Sequence, residues 1–99
     1  MVSLYTRFRL LPSTKGSFVP LFSALLEAMS KEPNFVSAVL SEDAATKDEM
    51  IVFEVWNGTE EKWLSEQPSM PYRLDHDAAV KGFLIEKEVR LLAPLVIKT

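Results

Sequence analysis

Two side chains in this sequence of 99 residues could handle protons away from water, Glu54 and His76. Glu54 sits inside Met50-Ile51-Val52-Phe53-Glu54-Val55-Trp56, an apolar run closed by an indole. In a strand, successive side chains point to opposite faces. Ile51, Phe53 and Val55 then share one side, and Met50, Val52, Glu54 and Trp56 the other. Burying a carboxylate there is costly unless a donor meets it. Glu54 therefore either floors a polar pocket beside Trp56, accepting from Trp63, Tyr72 or a ligand, or pairs across the sheet with Arg7 or Arg9.

His76 falls in a helical pattern with Tyr72, Ala79 and Phe83, which turns its ring toward the rest of the fold. Its neighbours Asp75 and Asp77 are expected to point elsewhere. A partly buried imidazole with a pKa near neutrality can take the proton of a phenol, a contribution of roughly a hundred- to ten-thousand-fold in rate. The other reading is a packed histidine hydrogen-bonded to a backbone carbonyl. Trp63 and Tyr72 either line a pocket beside these groups or belong to the apolar stripe that pins a short helix to the core.

Other chemistries are excluded by what is missing. There are no cysteines, hence no disulfides, thiolate metal sites or thiol nucleophiles, and His76 is the single histidine, too few for a paired-histidine metal site. The three glycines are scattered and form no phosphate-cradling loop. A net charge of -3 with 11 dispersed basic residues gives no footprint for nucleic acid. No run approaches the length of a membrane span, and no signal segment stands at the N-terminus. The expectation is a soluble cytoplasmic protein with no sequence signature of a bound nucleotide or a paired-histidine metal.

The elements that must position Glu54 and His76 follow from periodicity. Residues 2–11 alternate as a strand, with Leu4, Thr6, Phe8 and Leu10 on one side and Tyr5, Arg7, Arg9 and Leu11 on the other. Pro12 ends it. Ser17 is a candidate N-cap for a helix with Phe18, Leu21, Phe22, Leu25, Leu26 and Met29 on its buried stripe, and Pro33-Asn34 stops that helix. Residues 35–40 form a second strand, residues 41–49 a polar connection, and residues 50–56 the third strand, paired as an antiparallel hairpin. Asn57-Gly58-Thr59 leads into a short helix opened by Glu60 and Glu61, whose charge suits the helix dipole. Pro68 and Pro71 break it. A further helix is predicted over residues 72–85 and a closing strand over residues 88–97.

The order strand–helix–strand–strand–helix–strand is the split βαβ, or ferredoxin-like, pattern. It predicts one α+β domain over residues 1–99 with an antiparallel sheet. An apolar fraction of 47% is high for so short a chain. All four strands read as apolar on both sides, so the sheet face away from the helices needs a cover, and a second copy supplies it.

Three segments, in this order along the chain, resemble the antibiotic biosynthesis monooxygenase family of dimeric α+β barrels: Glu32-Pro33-Asn34-Phe35 at the helix exit, Phe53-Glu54-Val55-Trp56 at the strand end, and the closing Glu88-Val89-Arg90-Leu91-Leu92-Ala93-Pro94-Leu95. The resemblance implies a homodimer with a pocket between sheet and helices in each subunit. It also implies a monooxygenase acting with O2 on a quinol-like or polycyclic phenolic substrate without metal or flavin. Trp56 matches the pocket-lining tryptophan of such oxygenases. Val52 stands where some of them place an asparagine, and His76 roughly where one has an arginine. The family's helix histidines are replaced around Trp63-Leu64-Ser65-Glu66 and Pro68-Ser69-Met70-Pro71. On this reading His76 is the base, Glu54 its polariser or an acceptor, and Trp56, Trp63, Tyr72 and Val52 form the substrate wall. The rival readings are a haem-binding or haem-degrading relative, with His76 as axial ligand, and a non-catalytic dimeric ligand-binding module.

Overall fold

The computed structural model describes residues 1–98. Strand β1, Val2–Leu10, leads into helix α1, Lys15–Ser30; a hairpin of β2, Phe35–Glu42, and β3, Glu49–Trp56, follows. Two helices, α2 over Glu60–Glu66 and α3 over Pro71–Val80, then lead through a 3-10 turn at Lys81–Phe83 to β4, Leu84–Leu92. The four strands form one antiparallel sheet in the order β2-β3-β1-β4. This is the α+β, ferredoxin-like arrangement expected from the sequence.

Alternation decides which side of the sheet is covered. Leu4, Phe8, Leu10, Met50, Val52 and Trp56 all turn inward and are buried against Phe18, Phe22, Leu25 and Met29 of α1. Glu54 shares that inner face because it stands opposite Leu4 in the β1–β3 register. Phe8, Phe18 and Phe22 form an aromatic cluster with ring centroids 5.3 to 5.5 Å apart. Edge-on contacts of this kind add to plain area burial because ring edges and faces carry opposite partial charge.

Local signals set the helix ends, with some departures from expectation. Helix α1 starts earlier than expected, with Thr14 rather than Ser17 at the N-cap position, and the Thr14 hydroxyl donates back to the Leu11 carbonyl instead of capping the helix. Pro20 thus lies beyond the first turn, where its missing N–H leaves a gap in the helical ladder. Gly58 has φ +98, a left-handed conformation that a side chain would resist, and Thr59 then caps α2 by accepting from the Lys62 N–H at 3.1 Å. Pro71 opens α3 from N1, where no N–H is needed.

The last helix and strand differ most from the sequence reading. Helix α3 ends at Val80 and β4 occupies Leu84–Leu92, not residues 88–97. Val80, Phe83 and Leu84 are spaced like a helix stripe, but Gly82 lies in a tight turn and the strand begins at once. At the far end Pro94 cannot donate to a ladder, and residues 93–98 leave the sheet.

The outer face of the sheet is mixed, not apolar throughout. Val39, Ile51, Phe53 and Val55 make one end hydrophobic, with Val39 59% and Phe53 43% exposed. The other end is charged. Arg7 bonds Glu49 at 2.7 Å and Glu86 at 3.0 Å, while Glu88 approaches it at 3.6 Å and Arg90 bonds Glu88 at 2.6 Å. Among the described residues no helix is long and apolar enough to cross a membrane.

Candidate active site

Helix α3 and the inner face of β1, β3 and β4 do not close fully on one another. They leave a cavity of about 140 Å³ between Leu4, Thr6, Phe8 and Val89 on the sheet and Phe22, Leu25, Trp63, Arg73 and His76 on the helices. Glu54, Asp77 and Lys87 add charge to its walls. Lined in this way, the cavity is mostly apolar with a few converging polar groups, the usual make-up of a small-molecule site.

Glu54 is 4% exposed and fully engaged on one oxygen. Its Oε1 accepts from Trp56 Nε1 at 3.0 Å and from Arg73 Nη2 at 3.0 Å. The partner is therefore Arg73 of α3, and neither Arg7 nor Arg9. Those two lie on the opposite face, since Thr6 and Phe8 are the inward residues of β1. No protein donor among the described residues reaches Glu54 Oε2.

Arg73, which the sequence reading did not single out, organises this wall. Its guanidinium lies 5.7 Å from the Trp56 ring centroid and 5.2 Å from that of Trp63. Its Nε donates to Gln67 Oε1 at 3.0 Å, and Tyr72 donates to the same oxygen at 3.0 Å. A planar cation packed between indoles and held by two acceptors is well ordered. The signal was available: Arg73 precedes His76 by three residues and so shares its helix face. The buried stripe of α3 runs through His76 and Val80, about one position round from the one read through Ala79 and Phe83.

His76 is 8% exposed and meets Phe22 edge-on at 4.9 Å. Burial pushes its pKa below the ordinary value of 6.5; Asp77 and the Leu21 backbone carbonyl oppose the shift, while Lys87 and Arg73 add to it. The ring is therefore neutral at physiological pH and carries a basic nitrogen. Asp77, expected to point away, lines the cavity with it. His76 Nε2 and Trp63 Nε1 are the two buried side-chain nitrogen or oxygen atoms without a hydrogen-bond partner among the described residues. Each orphan of this kind costs about 1–3 kcal/mol, so both stand out at a site.

The remaining expected wall residues lie elsewhere. Trp56 stands behind Glu54 against Phe35, ring centroids 5.3 Å apart, and Val52 is wholly buried in the core. Tyr72 faces a second groove between α1 and α3, which Leu25 and His76 also line, and burial raises its pKa. Lys87 is a further residue the sequence did not reveal. Its Nζ sits 5.6 Å from the Phe8 ring centroid, and it forms no ion pair among the described residues.

The fold is thus an antiparallel sheet with helices on its inner face and a cavity between the two layers. Residues 1–66 match the sequence profile of the antibiotic biosynthesis monooxygenase family, and the chain belongs to that family. Rv0793 from Mycobacterium tuberculosis is 26% identical and superposes with a TM-score of 0.86, covering 99% of this chain and 98% of that one. SnoaB, a cofactor-independent oxygenase from Streptomyces nogalater, is 19% identical with a TM-score of 0.81 over 97% of this chain and 94% of its own. A further antibiotic biosynthesis monooxygenase is 15% identical with a TM-score of 0.85, covering 97% of this chain and 100% of that one. At these last two identities the likeness concerns fold alone. No curated protein matches the chain.

Proposed function

We propose that this protein is a cofactor-independent monooxygenase acting on a small, electron-rich phenol of the quinol type. The observation that carries the reading is His76: a buried, neutral imidazole with an unpartnered Nε2, in the wall of a mostly apolar cavity. Family membership and the resemblance to SnoaB agree with it.

In this chemistry the substrate supplies the electrons. His76 takes the phenolic proton, and Lys87 and Arg73 offset the charge of the phenolate left in a medium where such charges interact strongly. The phenolate then reduces O2 and bonds to it at a ring carbon. For a hydroquinone the balance is hydroquinone plus O2 giving hydroxyquinone plus water. One oxygen atom replaces a ring hydrogen, the other leaves as water, and the ring provides all four electrons.

A second copy covers the apolar end of the outer face in the working protein. The test is oxygen uptake by purified protein with a panel of hydroquinones in isotope-labelled O2. The expected product carries one labelled atom in the quinone and one in water. Absence of enzyme-dependent uptake with every member of the panel would overturn the reading.

A further inference from the structure

We infer that Trp63 is a substrate-binding residue, and that the substrate is a single six-membered ring with two oxygen functions: a hydroxyl for His76 and an acceptor oxygen for the Trp63 indole. This rests on the cavity being the substrate site, as proposed above, and adds what the substrate must carry.

Three observations on this site converge. The first is size: a cavity of about 140 Å³ matches one aromatic ring, since an apolar cavity of roughly 150 Å³ takes up benzene. The second is that the two orphaned buried nitrogens both belong to residues lining this same cavity, though one is on α2 and the other on α3. Both atoms have almost no exposed surface and no partner from the fold, so a molecule seated between the walls can supply what each lacks. The third is their chemistry. An indole N–H only donates, whereas Nε2 of a neutral imidazole can accept. One hydroxyl can donate and accept, but the two nitrogens belong to different helices, and a ring carrying an acceptor oxygen as well as a hydroxyl can reach both.

Trp63 is also held in place for this task. Arg73 stacks on its ring at 5.2 Å and is anchored in turn by Glu54 and Gln67. The indole is thus oriented without its N–H being used. A tryptophan serving only as apolar packing would gain from placing that group in water or on a carbonyl.

Redox-inert probes test this without turnover. Affinities of the three hydroxybenzaldehyde isomers, phenol, benzaldehyde and a hydroxynaphthaldehyde are measured by calorimetry for wild type, Trp63→Phe and His76→Leu. At least one hydroxybenzaldehyde isomer should bind about tenfold or more tightly than phenol or benzaldehyde, each added hydrogen bond in a buried site being worth roughly that factor. Trp63→Phe keeps the ring under Arg73 and removes the N–H. It should erase the advantage over phenol while leaving phenol affinity within about twofold, the change expected when no hydrogen bond is lost. His76→Leu should erase the advantage over benzaldehyde.

Equal weakening of phenol and hydroxybenzaldehyde by Trp63→Phe would overturn the inference. So would wild-type protein that binds no isomer more tightly than the one-oxygen probes, or that prefers the two-ring probe. The wild-type comparison decides even if a variant fails to fold. Loss of this binding pattern with quinol-dependent oxygen uptake intact would remove the inference and leave the oxygenase reading. The reverse result would remove the oxygenase reading alone.

Discussion

Arg73 Nη2 lies 3.0 Å from Glu54 Oε1, and this contact ties α3 to the middle of the sheet at the edge of the cavity. Both side chains are almost out of water, 12% and 5% exposed. Glu54 thus stands at the cavity wall and pairs with an arginine, but that arginine comes from a helix and is neither Arg7 nor Arg9.

A buried pair of this kind is harmful to break from one side. Glu54→Leu leaves the Arg73 cation largely buried without its carboxylate and should cost about 3–5 kcal/mol. Arg73→Met alone strands the carboxylate and should be similarly damaging, although Trp56 still donates to it. The double variant removes both charges, keeps an apolar chain between the indoles, and should recover most of the loss. Urea unfolding of the four proteins checks this. A double variant as unstable as the sum of the two singles would mean that the pair is not coupled.

The sheet order and the inward position of Glu54 were legible because a strand repeats every two residues, and the central strand leaves no doubt about phase. Helix α3 was harder. Tyr72, Arg73, His76, Ala79 and Val80 contain two overlapping stripes, and hydropathy alone prefers Tyr72 and Ala79 to an arginine. The charged Arg73 turns inward because Glu54 and Gln67 await it there, a relationship between distant segments that no local pattern encodes. The same holds for Lys87, an inward residue at the edge strand whose position over Phe8 depends on the β1–β4 register. The mixed outer face escaped notice for a different reason: Arg7, Glu86, Glu88 and Arg90 each look like ordinary surface charges until the register brings them together.

The hydrophobic end of that outer face predicts association. Phe53 and Val39 stand exposed there, and the apolar residues 93–97 lie alongside, with Leu95 95% exposed. Sedimentation at micromolar concentration should give a homodimer, with an interface on the order of 2,000 Å² or more for an obligate pair. Phe53→Arg should shift the protein to monomer, because it places a charge at the centre of the apolar patch. A folded wild-type monomer at that concentration would refute the assignment of this face.

Acid should weaken the fold through His76. Its folded pKa lies below the unfolded value of 6.5 because burial disfavours the charged ring, so the unfolded chain binds more protons in the intervening range. The stabilisation is complete above the unfolded value and is lost as pH falls through the folded one. In His76→Leu this loss should disappear, leaving a flatter stability profile below pH 6.5. Urea midpoints across that range give the answer; parallel profiles for the two proteins would show that His76 is not buried as a neutral ring.

Removing the same imidazole separates its structural part from a catalytic one. If His76 accepts the phenolic proton, His76→Ala should lower oxygen uptake with a responsive hydroquinone by at least roughly a hundredfold while the fold persists. The wild-type rate should rise with pH along the titration of His76 and level off before neutrality, since only the neutral ring accepts a proton and burial keeps its pKa below 6.5. A packing role alone predicts something else: a loss of about 1–2 kcal/mol in stability, with the turnover of folded molecules unchanged. Measuring the rate per folded molecule distinguishes these cases, because instability lowers the number of active molecules and loss of the base lowers the turnover of each. Unchanged turnover in a folded His76→Ala protein would assign the proton to another acceptor, and Glu54 Oε2 on the same cavity wall is the next to test.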